Sequence, residues 1–148
     1  MIKAHVEIKL TWNIPPDGTG PFWQKLKVEI NDAAKQAAQF YVYHLKSLLS
    51  IRVGRSATGK VIQRSLPGEA PRRETAELWR SISIHQDRIK FVTTIFTNVK
   101  YASELEHGTV KISPRPAWLP AFLGQWHFMS HYIRLRLALY LDNYRPYR

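Results

Sequence analysis

Between residues 22 and 49 the apolar side chains return every three or four positions: Trp23, Leu26, Ile30, Ala33, Ala37, Tyr41, Leu45 and Leu48. That spacing lays one apolar stripe along an α-helix. The run Ala33-Ala34-Lys35-Gln36-Ala37-Ala38 adds intrinsic helix propensity under the same pattern. Pro21 suits the first helical position, where a missing N–H costs nothing. At 1.5 Å per residue the helix would be about 40 Å long.

A second helix is predicted over 117–141, after a linker bracketed by Pro114 and Pro116, with the stripe Leu119, Phe122, Trp126, Met129, Ile133, Leu137 and Tyr140. Residues 117–133 carry no charge, yet Pro120, Gln125, His127, Ser130 and His131 interrupt them. A membrane-spanning helix needs about 20 mostly apolar residues, so this one is expected to pack on protein. Residues 1–7 alternate charged and apolar side chains and lack the apolar core of a signal peptide. The expectation is a soluble chain with no membrane partner.

The rest of the pattern points to a sheet. Residues 2–12 alternate, with Ile2, Ala4, Val6, Ile8, Leu10 and Trp12 on one side and Lys3, His5, Glu7, Lys9 and Thr11 on the other, the period of a half-buried strand. Turn residues at 15–20 stop it. Residues 81–84 and 89–96 read as two further strands around a turn at 85–88. Short helices are expected over 74–80 and 101–107, the second closed by Gly108. The fold class is therefore α+β: an antiparallel sheet packed by two long helices, in one domain of 148 residues, with a frayed tail at 143–148.

Charge is unevenly spread. The chain has 22 Lys and Arg against 11 Asp and Glu, a net charge of +11. Residues 51–73 hold Arg52, Arg55, Lys60, Arg64, Arg72 and Arg73 against Glu69 alone, a local excess of +5, among several Gly and Pro. This stretch is predicted to be a long, flexible basic loop that orders only against a partner. The charge implies anionic surroundings and says nothing about fold. With 45% apolar residues the chain can bury a core, and with no cysteine it has neither disulfides nor a thiolate metal site.

No catalytic arrangement emerges. Gly54-Arg55-Ser56-Ala57-Thr58-Gly59-Lys60 has the spacing of a phosphate-binding loop, but a long helix precedes it and Val61 stands where a magnesium-binding hydroxyl belongs. His127 and His131 are four apart on a helix, with Arg134 next in the stripe and no acid before Asp142, which is poor ligation for a metal. Glu104 and Glu106 point different ways on a helix and make no carboxylate pair. No enzyme, cofactor or metal is expected. The basic stretch suits phosphates, yet no zinc spacing or RNA-recognition pattern accompanies it, so any nucleic-acid contact would be non-specific.

Four segments in order carry a resemblance: Ser65-Leu66-Pro67-Gly68-Glu69-Ala70-Pro71; Thr75-Ala76-Glu77-Leu78 with Ser81-Ile82; Tyr101-Ala102-Ser103-Glu104-Leu105-Glu106-His107-Gly108-Thr109; and Arg115-Pro116-Ala117-Trp118-Leu119-Pro120-Ala121. Together, over residues 65–122, they resemble the neck or tail-completion minor tail proteins of long-tailed phages, of the siphophage type. Ala76 stands where that pattern has Gly, and Trp118 where it has a smaller or phenyl residue. The resemblance implies a structural virion protein, assembled in the host cytoplasm and located in the neck or head-proximal tail. It would form a homo-oligomeric ring, a hexamer by expectation, that completes the tail and joins it to the head-side connector.

Implied partners are the neighbouring neck, connector and tail-tube proteins, and packaged DNA passing through without sequence recognition. Pro67, Gly68, Leu78, Tyr101, Ala102, Glu106, Gly108, Thr109, Arg115, Pro116 and Pro120 would be structural motif residues. Apart from the resemblance, the residues themselves suggest that Arg115 pairs with Glu106 to tie two helices together and that Thr109 restarts extended chain. The basic residues of 51–73 would face the DNA channel or a neighbouring subunit, and their loop would be removable over 54–72 without loss of fold. The alternative is a non-specific nucleic-acid-binding protein.

Overall fold

A computed structural model describes residues 6–11, 20–52, 54–63, 65–72 and 76–143. The strand pattern at 2–5 and 12, most of the turn at 15–20, Arg64, Arg73 and the tail from 144 onward lie outside the described residues.

Helix α1 (Pro21–Leu48) is the centre of the molecule. Gly20, at φ 101, turns the chain into it, and Pro21 takes its first position as expected. Its buried residues are Ile30, Asn31, Ala33, Ala34, Ala37, Ala38, Tyr41 and Leu45. The four alanines have no side-chain bulk, so neighbouring elements approach the helix closely. Helix α4 (Trp118–Asn143) runs antiparallel to α1, with Phe22 beside Tyr140, Arg136 donating to Glu29, and Phe40 edge-on to Phe128 at 5.2 Å.

On another side of α1 lies a three-stranded antiparallel sheet in the order β1–β5–β4. Strand β1 (Val6–Thr11) pairs with β5 (Val92–Thr97) through Ile8 and Ile95, and β4 (Ser83–Asp87) pairs Ile84 with the same Ile95. Thr93, Ile95 and Thr97 are buried on one face of β5. Their hydroxyls have partners, Thr97 with Ser81 at 2.5 Å and Thr93 with Gln86 at 3.4 Å. The α+β architecture is as the sequence predicts.

Three details differ from expectation. The turn between β4 and β5 sits at 88–91, not 85–88, because Asp87 Oδ1 accepts the backbone N–H groups of Ile89 and Lys90. Phe91 closes it at φ 54, and Ile89 ends at the exposed tip despite its β propensity.

The basic stretch is not structureless throughout: β2 (Gly54–Arg55) and β3 (Val61–Gln63) form a small antiparallel ribbon. Its turn is held locally, since Ser56 Oγ accepts the Lys60 N–H and bonds Thr58 Oγ1, while Gly59 takes φ 81.

Helix α4 buries Trp118, Ala121, Met129 and Ile133, while Leu119 and Trp126, expected inside, are exposed. That helix is apolar on most sides, so periodicity could not single out the packed one. No described helix is long and apolar enough to cross a membrane.

Candidate functional site

The motif segments meet at one corner. Helix α2 (Glu77–Ser81) and helix α3 (Tyr101–His107) flank it. Ala76 precedes α2 at φ −91, so the position where the phage pattern has Gly needs no positive φ here. Leu78 and Ala102 are buried, and Tyr101 donates its hydroxyl to Glu77 at 3.3 Å.

The turn at 66–69 closes on itself, with Glu69 N–H to the Leu66 carbonyl and Leu66 N–H to the Glu69 carboxylate. Pro67, inside this turn, is exposed. Gly68 takes φ 84 and donates its N–H to the Pro114 carbonyl at 2.9 Å, which docks the turn on the approach to α4.

Glu106 joins α3 to α4. Its carboxylate accepts three successive backbone N–H groups, from Ala117 (2.8 Å), Trp118 (3.0 Å) and Leu119 (2.9 Å). The next residue, Pro120, has no N–H, and Ala121 donates to the Ala117 carbonyl. Every donor that a helix start leaves without an intrahelical partner is thus answered by one carboxylate or removed by one proline. A negative charge at the positive end of the helix dipole adds to this.

Glu106 is therefore engaged with the helix, not with Arg115 as the sequence suggested. Arg115 instead donates its backbone N–H to the Leu105 carbonyl at 2.7 Å, and its side-chain Nε is buried without a partner. Pro116 follows, half-buried, and delivers the chain to the capped helix.

Gly108 ends α3 at φ 75, where a Cβ would lie 2.9 Å from both the Ile112 carbonyl and the Pro114 ring. Thr109 does not restart extended chain: its Oγ1 accepts the N–H groups of Lys111 and Ile112, folding 109–112 into a tight turn. Below the corner, Tyr41 of α1 donates its hydroxyl to the Trp118 carbonyl at 3.0 Å. Burial, reinforced by the Glu106 carboxylate, pushes the Tyr41 phenol far above its ordinary value.

The basic residues are less tightly grouped. Arg52 follows α1 and Lys60 closes the ribbon turn, both exposed, whereas Arg72 is half-buried after the buried Pro71. Arg55 lies on β2. The Gly54–Lys60 spacing belongs to this ribbon and opens no helix, so the phosphate-loop geometry is not built. His127 and His131 are exposed on α4, and among the described residues no group of three His, Asp or Glu is placed to hold a metal.

Polar anchors that periodicity did not reveal tie the layers together. Asn31 donates to the Arg88 carbonyl, Gln86 to the Asn31 carbonyl, and Trp79 to the Lys46 carbonyl. Arg136 pairs with Glu29, and Tyr132 bonds Gln36. Only Asn31 advertises itself in sequence, as a polar residue beside the buried stripe of α1. In comparisons with known proteins, no family model, no curated protein and no solved structure matches this chain.

Proposed function

We propose that this chain is a structural virion protein of the neck or head-proximal tail of a long-tailed phage. Copies assemble into a ring, six by expectation, which completes the tail and joins it to the head-side connector around the DNA channel. The observation that supports this reading is the convergence of the motif segments. The turn at 66–69, α3, the turn at 109–112 and the start of α4 interlock through Gly68 to Pro114, Arg115 to Leu105, and Glu106 to three backbone N–H groups. Residues that match a structural family's pattern are here engaged in holding backbone, the role such a pattern requires.

The ribbon is the element offered to neighbours or DNA. Removal of 54–72 would also take away the docked turn and the buried Ser65 and Pro71, so the informative deletion is narrower, residues 54–63 replaced by a short Gly-Ser link. In the phage or prophage that carries the gene, this variant is expected to fold yet leave DNA-filled heads and tails unjoined in electron micrographs. Wild-type particle yield would overturn the assigned role. The exposed Arg52 and Lys60 favour a second reading, non-specific nucleic-acid binding. It predicts DNA affinity that falls steeply as salt rises, with the protein absent from particles.

A further inference from the structure

Helix α4 leaves two separate apolar flanks in water. Leu119, Leu123 and Trp126 stand at i, i+4 and i+7 along one side; Phe128, Leu135 and Leu139 stand at i, i+7 and i+11 along another. All six are 47 to 62% exposed. Exposed His127, His131 and Arg134 form a polar crest between them, and the packed side toward α1 lies opposite that crest. Both flanks follow the seven-residue spacing by which one helix seats against another. Each flank leaves on the order of 300 Å² of apolar side chain uncovered, and one flank from each of two copies supplies on the order of 600 Å², a large share of the apolar core of a standard interface.

The charge on α4 indicates what covers them. The chain as a whole is +11, so most of its surface repels a second copy. Over Trp118–Asn143 the only charged residues are Arg134, Arg136 and Asp142, and Arg136 is paired with Glu29. An acidic partner would be drawn to the basic surfaces elsewhere. The two α4 flanks are therefore the surfaces on which a second copy of this chain would meet no facing like charge.

We infer that α4 is the subunit interface, and that the Leu119–Leu123–Trp126 flank of one copy packs against the Phe128–Leu135–Leu139 flank of the next. Two different flanks on one helix make a head-to-tail contact, in which each copy has two neighbours and the series closes into a ring. A two-fold dimer would cover one flank and leave the other wet. This deepens the ring reading and rests on it for the existence of a closed assembly.

The test is complementation between Leu123→Glu and Leu135→Glu, followed by light scattering during size-exclusion chromatography in 0.5 M salt, where the repulsion between copies is screened. Both side chains are half in water, and far-UV circular dichroism is expected to be unchanged. Wild-type protein is expected to self-associate, and more strongly as salt rises. Each variant alone is expected to be monomeric. A mixture of the two is expected to form a dimer and stop there, because each supplies the intact flank the other lacks.

Self-association by both variants alone would overturn the α4 assignment while leaving a ring built on another surface. Dimerisation by one variant alone, or no dimer in the mixture, would overturn the head-to-tail pairing. A wild-type chain that stays monomeric at all salt concentrations would overturn the inference together with self-assembly of the isolated protein.

Discussion

Glu106 shows how one side chain can decide the geometry of a corner. Removing its carboxylate by Glu106→Ala leaves three helix-start N–H groups to find water, two of them partly buried. The expected loss is about 1–3 kcal/mol in chemical denaturation, and Glu106→Gln, which keeps one acceptor oxygen, loses less. Gly108 and Gly68 both take positive φ, but they differ in surroundings. Ala at 68 meets open space and costs about 1 kcal/mol, the left-handed penalty alone, whereas Ala at 108 also strikes the Ile112 carbonyl and Pro114 and costs more, read as a larger drop in melting temperature. Tyr41→Phe removes the bond to the Trp118 carbonyl, at about 1 kcal/mol near neutral pH. Its raised phenol also contributes stability that is fully present below the ordinary tyrosine pKa of about 10 and is lost as pH climbs toward the raised value. Denaturation midpoints compared between pH 8 and 11 are therefore expected to fall more steeply for the wild type than for Tyr41→Phe.

Among the elements, α1 and the sheet were legible because their residue types and periods agree: β-branched alternation in β5, an alanine-rich stripe in α1. The hairpin turn was displaced because its position depends on hydrogen bonds from Asp87, which hydropathy does not register. Those backbone bonds, that from Lys90 above all, hold the Asp87 carboxyl below the usual range. Its contribution to the turn is present above the ordinary aspartate pKa and is lost as pH falls through the lowered one. The amide resonances of Ile89 and Lys90 are expected to titrate with a midpoint below that of a free aspartate, and not at all in Asp87→Asn. In α4 apolar residues stand on all sides but the His127–His131–Arg134 crest, so the face toward α1 was settled by tertiary contacts such as Tyr132 with Gln36 and Arg136 with Glu29. Of the corner, sequence showed which residues matter as a group; it did not show that Glu106 caps α4 or that Arg115 stands apart from it, since both depend on how α3 meets the next helix.

For the whole molecule, charge and apolar surface divide the work. The basic excess concentrates in the ribbon and its surroundings, while α4 is long, apolar and nearly uncharged. Salt separates the two surfaces: it is expected to strengthen contacts along α4 by screening repulsion between copies and to weaken any contact of Arg52 and Lys60 with DNA. A chain so divided fits a place between like neighbours around an anionic axis, with the motif corner as the rigid joint between α3 and α4. Gold-labelled electron microscopy of purified particles carrying a tagged copy of the chain reads that placement itself. Label confined to the joint between head and tail is the predicted result; particles that carry no label while the tagged chain accumulates in the lysate would contradict it.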